Sequence, residues 1–240
     1  MRTIAFDIWG DYAHFRVFWS TSSPLTFSFI PPPTIFGIIG AFLGLDKNQN
    51  DYLKILTNAN CKVGLEIRNP IRKVRMGMNI INTKGKKFSL DNANPRTQLK
   101  YEFVRFPRYR IFVSMEDEQL MKQLSDSLRH HKSFYTISLG LSELLADFAF
   151  VDEFDVQKVT NYDKTEIRTV LNTKFIDKSN IELSEGLFLK KETVHTQMDY
   201  NRIVSRYDDF IYDNYCKPIK VLAPISYKSD KYNILWMNYE

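Results

Sequence analysis

Hydrophobic and polar residues alternate along several stretches of this chain, and alternation of this kind predicts β-strands. The stretches are RTIAFDIW at residues 2–9, CKVGLEIRN at 61–69, KYEFVRFPRYRIFVSM at 100–115 and FAFVDEFDVQKV at 148–159. Pro107 interrupts the third stretch, because proline has no N–H to donate to a strand ladder. Another extended stretch, GDYAHFRVFW, follows a turn at Gly10.

Three other stretches predict helices. EDEQLMKQLSDSLRHH places Leu120, Leu124 and Leu128 on one face. Its acidic start and basic end also suit the helix dipole. DYLKILTNA at residues 51–59 predicts a helical turn, and LSELLADF at residues 141–148 predicts a short helix.

The most apolar stretch, FSFIPPPTIFGIIGAFLGL, predicts a buried helix that begins near Pro33. Its apolar run ends at Leu45 after 13 residues, whereas a membrane-spanning helix needs about 20. Gly37, Gly40 and Gly44 fall on one face of this helix. Glycine is costly inside a helix, so three on one face predict that another backbone packs very close there.

Composition narrows the class of protein. The 240 residues are 44 % hydrophobic and 25 % charged, as in ordinary globular proteins. Neither a membrane span nor a targeting signal is expected, so the expected location is the cytoplasm. The two cysteines, Cys61 and Cys216, have no zinc-site spacing and are expected to be free thiols.

Positive charge is concentrated in one part of the chain. Residues 61–110 hold 13 Lys and Arg against three Asp and Glu, a net charge of +10, while the rest of the chain carries −5. A basic block on a mildly acidic body is typical of nucleic-acid binding, although a solvated basic face would look the same. Within this block, residues 69–99 have turn signals and alternating side chains, which predict a projecting basic β-hairpin.

The element order over residues 1–155 is strand, helix, strand, basic insertion, strand, helix, strand. That order matches the βαββαβ ferredoxin-like unit, whose open sheet also binds RNA in RRM-type domains. Residues 156–240 hold short alternating segments and predict a β-rich C-terminal extension. The predicted fold class is therefore α+β, with residues 1–155 as one domain.

Four stretches resemble the fifth CRISPR-associated (Cas) protein family, the RAMP-type subunit of the Cascade complex, in its subtype I-B form. GDYAHFR is similar to the family's glycine…Ala-x-Phe-Arg pattern, and PPPTIFGIIGAFLGL to its Pro-Pro-x-Thr-x-x-Gly-x-x-Gly helix. NPRTQLKYEFVRFPRYRIFV and FYTISLGLSELLAD follow in the family's order. The resemblance covers about residues 1–155.

This resemblance implies a ferredoxin-like domain with an inserted β-hairpin "thumb", at the position of the basic insertion 69–99. It implies binding of the repeat-derived 5′ handle of CRISPR RNA (crRNA). It also implies contact with a backbone subunit of the seventh Cas family and with the large subunit of the eighth, and only indirect contact with target DNA. No cofactor, metal or membrane partner is expected.

Phosphates need cations, and unpaired bases need flat or apolar partners. The candidate RNA-binding residues on the hairpin are Arg72, Lys73, Arg75, Met76, Met78, Lys84, Lys86, Lys87, Arg96 and Gln98. The methionines could instead pack under the hairpin. The candidates elsewhere are His14, Arg16, Arg108 and Arg110. Arg16 could instead form a structural ion pair, and the last two could face solvent.

No catalytic residue is expected, so the chain is predicted to be a binding subunit rather than an enzyme. One alternative is a metal-independent endoribonuclease that processes crRNA, as in one branch of this family. The side chains available for such chemistry are His14, His130, His131 and lysines near Tyr109. A further alternative is an unrelated binding or scaffold protein with a basic face.

Overall fold

The structure, a computed structural model, describes residues 1–20, 23–81 and 96–238. The helices are α1 (Pro32–Leu43), α2 (Asp51–Asn58) and α3 (Glu118–Arg129), with a short 3-10 turn at Lys178–Asn180. The strands are β1 (Arg2–Trp9), β2 (Tyr12–Ala13), β3 (Lys62–Ile67), β4 (Lys73–Ile81), β5 (Arg96–Arg105), β6 (Arg108–Ser114), β7 (Asp147–Asp155), β8 (Gln157–Thr160), β9 (Thr165–Ile167), β10 (Leu171–Asn172), β11 (Leu189–Met198), β12 (Val204–Asp213), β13 (Ile219–Val221), β14 (Ile225–Lys228) and β15 (Asn233–Ile234). The predicted α+β class is confirmed.

The central sheet has four antiparallel strands in the order β3-β6-β1-β7. On its first face, Ile4, Phe6 and Ile8 pack into the main core together with apolar side chains of α1 and α3. The ring of Phe6 lies 5.7 Å from that of Phe42 in α1, edge to face. These helices therefore cover one side of the sheet.

The second face of this sheet is covered as well. Ala5 and Phe112 pack against Tyr227, Ile234 and Trp236, which come from the last 14 residues that the structure describes. The three-stranded sheet β15-β14-β8 supplies this layer. This sheet face is therefore not open as it is in RRM-type domains, because C-terminal strands cover it.

The glycines at β3 and α1 show how closely the layers approach. A Cβ added to Gly64 would lie 3.1 Å from the Ile234 side chain. One added to Gly40 would lie 2.8 Å from Cβ of Tyr52 in α2. The neighbour of the α1 glycine face is thus an aromatic side chain rather than a second backbone, which corrects that detail of the expectation.

The ends of α1 follow from its sequence. The helix begins at Pro32, one residue before the expected start, with Pro31 extended at its N-cap. It ends at Gly44, whose φ of 70° closes the helix in the left-handed conformation that glycine adopts without strain. The expected burial around most of the helix is confirmed. None of the helices that the structure describes is long and apolar enough to span a membrane.

The hairpin formed by β4 and β5 stands apart from the central sheet. The two strands pair antiparallel from Lys73 opposite Val104 to Ile81 opposite Arg96, and β2 pairs with β5 near the root of the hairpin. Residues 82–95, which connect the strands, lie outside the described residues.

Two of the predicted elements differ in the structure. Residues 141–148 do not form a helix, because Ser138 bridges to Leu145 and the Leu139 N–H donates to the Leu144 carbonyl at 2.8 Å, closing a turn. Gly140, directly before this stretch, has a φ of 103°, which lies outside helical geometry. The stretch 148–159 divides into β7 and β8, and between them the Val156 N–H donates to the Met1 carbonyl at 2.9 Å.

The other C-terminal strands contribute side chains to two hydrophobic cores. Ile167, Leu171 and Val221 pack in a cluster of their own, whereas Phe210 and Tyr212 of β12 join the main core. The remaining small sheets have the orders β10-β12-β11 and β13-β9. A division of the chain at residue 155 stays a prediction.

Replacement of Trp236 by alanine tests how much the second face contributes. We expect Trp236→Ala to lower the free energy of unfolding by about 3–5 kcal/mol, because the ring is almost completely buried against the sheet. Urea unfolding measures the difference. Tyr162→Ala is the control, since Tyr162 is 88 % exposed and its loss should change stability by less than about 0.5 kcal/mol. Equal midpoints for both variants would contradict the packing of this face.

Candidate nucleic-acid interface

A groove of about 720 Å³ opens beside the glycine face of α1. Its walls come from α1, the turn at residues 135–142, the extended segment at residues 14–16, the middle of β5 and the end of β11. Three tyrosines line it, Tyr52, Tyr101 and Tyr135. The absence of side chains at Gly37 and Gly40 leaves room for the Tyr52 side chain at this wall.

Positive charge dominates the rim of this groove. Arg16, Lys47 and Arg202 line it and are exposed, and Asp46 is the one carboxylate among the described residues that line it. Arg16 donates from Nη2 to the Ser20 carbonyl at 3.4 Å and forms no ion pair in the part of the chain described. The structural ion pair, which was the alternative to RNA contact for Arg16, is therefore not what the structure shows. The groove combines cations with flat rings.

His14 lies in the wall between this groove and the hairpin. Its Nδ1 is 2.7 Å from the Glu102 carbonyl, and since a carbonyl only accepts, Nδ1 carries the hydrogen. Nε2 is buried and has no hydrogen-bond partner within the described chain. Burial lowers the pKa of His14, so the neutral ring is favoured. The ring also packs 5.3 Å from Tyr101 and 5.7 Å from Phe103, which ties the extended segment to β5.

The polar face of the hairpin holds two of the candidate cations close to its root. Lys73 donates from Nζ to the Thr26 carbonyl at 2.6 Å and lies 3.3 Å from Glu192 and 3.8 Å from Glu102. Arg75 pairs with Glu102 at 3.3 Å, yet its side chain is 65 % exposed. Lys73 therefore fixes the hairpin to the body, while Arg75 keeps a large surface for a phosphate.

Arg72 at the root of the hairpin is exposed, and so are Arg96 and Gln98 further along it. Met76 and Met78 lie opposite Tyr101 and Leu99, so these four side chains share the less polar face of the ladder. The methionines are half-buried there, and their contact with RNA stays a prediction. Lys84, Lys86 and Lys87 lie outside the described residues.

Arg108 and Arg110 lie elsewhere, on the second face of the central sheet. Asp7 is buried on that face and accepts from Arg110 Nε at 2.7 Å and from Arg108 Nη2 at 3.2 Å. Burial would lower the pKa of Arg110, but the hydrogen bond and charge of Asp7 outweigh it and raise that pKa. The side chain of Arg110 is only 14 % exposed. The sequence left two alternatives for Arg110, contact with RNA or with solvent. The structure shows neither, because the buried guanidinium is paired with Asp7.

Arg108 is more exposed than Arg110. Its side chain is about half exposed, and its guanidinium lies 5.2 Å from the ring centre of Trp9. The groove and the hairpin thus gather His14, Arg16, Arg72, Arg75, Arg96 and Gln98, whereas Arg108 and Arg110 belong to the opposite side of the sheet.

Several groove residues escape sequence reasoning. Lys47, Tyr135, His195 and Arg202 come from loops or strand ends distant in sequence. Tyr135 lies in the stretch FYTISLGLSELLAD, but it was not named there as a candidate, and the other three stand in no motif. Only Tyr52 had a local signal, since the spacing of the α1 glycines indicates that something large packs there. The other four depend on the tertiary fold.

Residues 3–212 match the family model described as CRISPR-associated protein (Cas_Cas5). No curated protein sequence matches the chain. A crystal structure of a CRISPR protein from Archaeoglobus fulgidus is similar, with a TM-score of 0.56 and 14 % identity, over 98 % of this chain and 98 % of that chain.

Two further solved chains are similar at low identity. One belongs to a cryo-EM structure of the Type III-B Cmr-beta bound to cognate target RNA and AMPPnP. Its TM-score is 0.53 with 11 % identity, over 90 % of this chain and 86 % of that one. The other belongs to a CRISPR RNA-guided surveillance complex, with a TM-score of 0.49 and 10 % identity, over 93 % and 90 % of the two chains.

His195 gives the folded protein a testable pH dependence. Burial lowers its pKa from 6.5 to about 4, so below pH 6.5 the unfolded chain binds a proton that the folded protein does not. The stability contributed by the neutral ring is complete above pH 6.5 and is lost as the pH falls toward 4.

We therefore expect the free energy of unfolding to fall by about 2 kcal/mol more in the natural protein than in His195→Phe between pH 7 and pH 4.5. Phenylalanine keeps an aromatic ring near Phe27, whose centre is 5.7 Å away, but cannot take up a proton. Urea unfolding over this range measures the difference. Between pH 7 and pH 8 the two curves should run parallel, and parallel curves down to pH 4.5 would contradict the buried state of His195.

Proposed function

The chain belongs to the CRISPR-associated Cas5 protein family, and from this premise we propose that it is a non-catalytic RNA-binding subunit of a CRISPR effector complex. The observation that carries the proposal is the groove, which joins three exposed cations to three tyrosines. Cations meet phosphates, and flat rings meet the faces of unpaired bases.

The RNA that we propose for this groove is the repeat-derived 5′ handle of crRNA. Single-stranded RNA is recognised through splayed bases, because side chains cannot enter the narrow major groove of an RNA duplex. In this arrangement Arg16 and Arg202 hold phosphates, and Tyr101 at the root of the hairpin stacks on a base. Support comes from the shared lining of one groove by all three side chains.

We also propose that the central sheet with α1 and α3 is the family's ferredoxin-like unit and that β4 and β5 form its thumb. The sheet order β3-β6-β1-β7 and the separate β4-β5 ladder support this reading. Arg72, Arg75 and Arg96 then reach the RNA from the thumb. Lys73 serves as the tie that holds the thumb at its root.

The proposed complex is of subtype I-B, with a backbone subunit of the seventh Cas family and a large subunit of the eighth as neighbours. Target DNA is contacted only through the crRNA. The similarity to a chain in a Cmr complex bound to target RNA supports a place in an effector assembly.

The absence of catalysis is part of the proposal. A histidine that removes a proton from a ribose 2′-OH needs an accessible lone pair within hydrogen-bond reach. In His14, Nδ1 is held by the Glu102 carbonyl and Nε2 is buried. This geometry supports binding rather than cleavage.

The test is a titration of the purified protein with a short RNA that carries the cognate 5′ handle, beside a scrambled RNA of equal length. About six phosphate contacts on a single strand give a log–log salt slope near −4. We expect preference for the handle and recovery of intact RNA. Shortened RNA would replace this proposal with the endoribonuclease, and equal affinity for both RNAs would leave only an unspecific basic surface.

The groove cations can be tested separately. We expect Arg16→Gln combined with Arg202→Gln to weaken handle binding at least tenfold and to reduce the salt slope by about 1.4, since each lost phosphate contact on a single strand changes it by about 0.7. The control is Lys122→Gln with Lys132→Gln, which removes the same charge from exposed positions in and just after α3. Equal losses in both variants would show a net-charge effect and contradict the groove.

The hairpin cations form a second test. We expect Arg72→Ala combined with Arg75→Ala to weaken handle binding by about tenfold, because both guanidinium groups are available to phosphates. The same titration measures it, again beside the Lys122 and Lys132 control. Unchanged affinity would remove the hairpin root from the RNA path while leaving the groove in place.

A further inference from the structure

Three aromatic side chains lie together on the surface beyond one end of the groove. Phe18 is 52 % exposed, Trp19 is 53 % exposed and Tyr207 is 42 % exposed. Together they form the aromatic platform (Phe18, Trp19 and Tyr207). Large aromatic side chains are usually buried, so three half-exposed rings in mutual contact indicate a binding surface.

The rings of the platform support one another in a way that leaves faces open. The ring centre of Phe18 lies 4.6 Å from that of Trp19 at an angle of 86° and 4.5 Å from that of Tyr207 at 48°. An edge-to-face contact uses the edge of one ring, so the other ring face stays available. The platform is therefore already ordered before anything binds to it.

The platform is continuous with the groove. Trp19 contacts Phe27, with ring centres 5.7 Å apart, and Phe27 contacts the groove residue His195 at the same distance. His195 is also the cross-strand partner of Tyr207 between β11 and β12. One row of rings thus runs from the groove wall to the exposed surface.

Positive charge accompanies this row of rings. Arg16 and Phe18 are both exposed, while Val17 between them is buried, so the extended segment directs the cation and the ring outward together. Arg202, at the turn before β12, lines the groove close to Tyr207 in sequence. Cations beside exposed rings suit a polyanion with flat bases better than an apolar protein surface.

We propose that the aromatic platform stacks unpaired bases of the RNA strand where that strand leaves the groove. The proposal rests on the proposed function, since it extends the same RNA path. Stacking of a base on an aromatic ring is tolerant of sequence, so the platform adds affinity for strand length rather than for handle sequence. It involves no covalent step.

Two RNA lengths test the platform. One RNA carries the handle alone, and the others carry the handle extended by a few nucleotides at one end or the other. We expect the natural protein to bind one extended RNA about tenfold tighter than the handle, as stacking of one base predicts. Trp19→Ala and Tyr207→Leu, made separately, should lose this gain and keep the affinity for the handle alone. Tyr162→Ala, which removes an exposed aromatic residue elsewhere, should keep the gain.

Salt dependence and fluorescence separate stacking from charge. The loss in Trp19→Ala should leave the salt slope unchanged, because no phosphate contact is removed. The extended RNA should quench tryptophan emission in the natural protein, and Trp19→Phe should abolish this quenching while retaining the length gain, since a ring remains. Urea unfolding of each variant shows whether the fold is intact.

The outcomes distinguish failure of the platform proposal from failure of the proposed function. Handle binding without any length gain, or a gain that survives in both Trp19→Ala and Tyr207→Leu, overturns the platform alone. Variants that bind both RNAs normally but fail to join the other subunits would identify a protein interface instead, which also overturns it. If the natural protein binds neither RNA, the proposed function fails and the platform proposal fails with it.

Discussion

Both faces of the central sheet are packed against other elements, and most of the structure follows from this constraint. Strand β1 is buried along almost its whole length, between helices on one face and C-terminal strands on the other. A polar group on such a strand has to be paired, which is why Asp7 meets two arginines from β6. For the same reason the candidate surfaces for a ligand lie at the margins of the sheet, in the groove and along the hairpin.

The hairpin is held in place by a polar network rather than by apolar packing alone. Glu192 of β11 accepts from the Ser28 hydroxyl at 2.6 Å and lies 3.3 Å from Lys73. Tyr212 donates to Ser28 at 2.8 Å, and Lys73 also approaches Glu102 of the neighbouring strand. The network joins the root of the hairpin, the loop before α1 and the C-terminal strands. The direction in which the hairpin projects is therefore set relative to the groove.

The sequence predicts the local elements well, because strand alternation and the leucine spacing of α3 are short-range signals. The family match confirms the resemblance that the four motifs carry. The stretch 141–148 was predicted as a helix, but the Ser138–Leu145 bridge and the hydrogen bond from the Leu139 N–H to the Leu144 carbonyl close a turn there instead. The covered second face could not be foreseen, because it depends on contacts between β1 and strands about 230 residues away.

What the charge pattern predicts is limited in the same way, because long-range contacts are not visible in the sequence. The excess of cations in residues 61–110 is visible in the sequence, but their pairing is not. Arg110 and Lys73 are committed to carboxylates, while Arg72 and Arg75 keep surface for a ligand. The number and spacing of the cations thus predicted the region of the candidate site. Only long-range contacts show which of these cations are paired with carboxylates and which keep surface for a ligand. The second candidate surface, the groove, is assembled almost entirely from such contacts.

The burial of Trp236 against the first strand also bears on how the protein is made. At about 5–20 residues per second, a ribosome releases β1 roughly 10–50 s before it adds the residues that cover the second face. The Met237 N–H, which donates to the Val63 carbonyl at 2.8 Å, also comes from this late segment. Throughout that interval Ala5 and Phe112 have no native cover. The growing chain therefore has one face of its central sheet uncovered until the residues that cover it have been added.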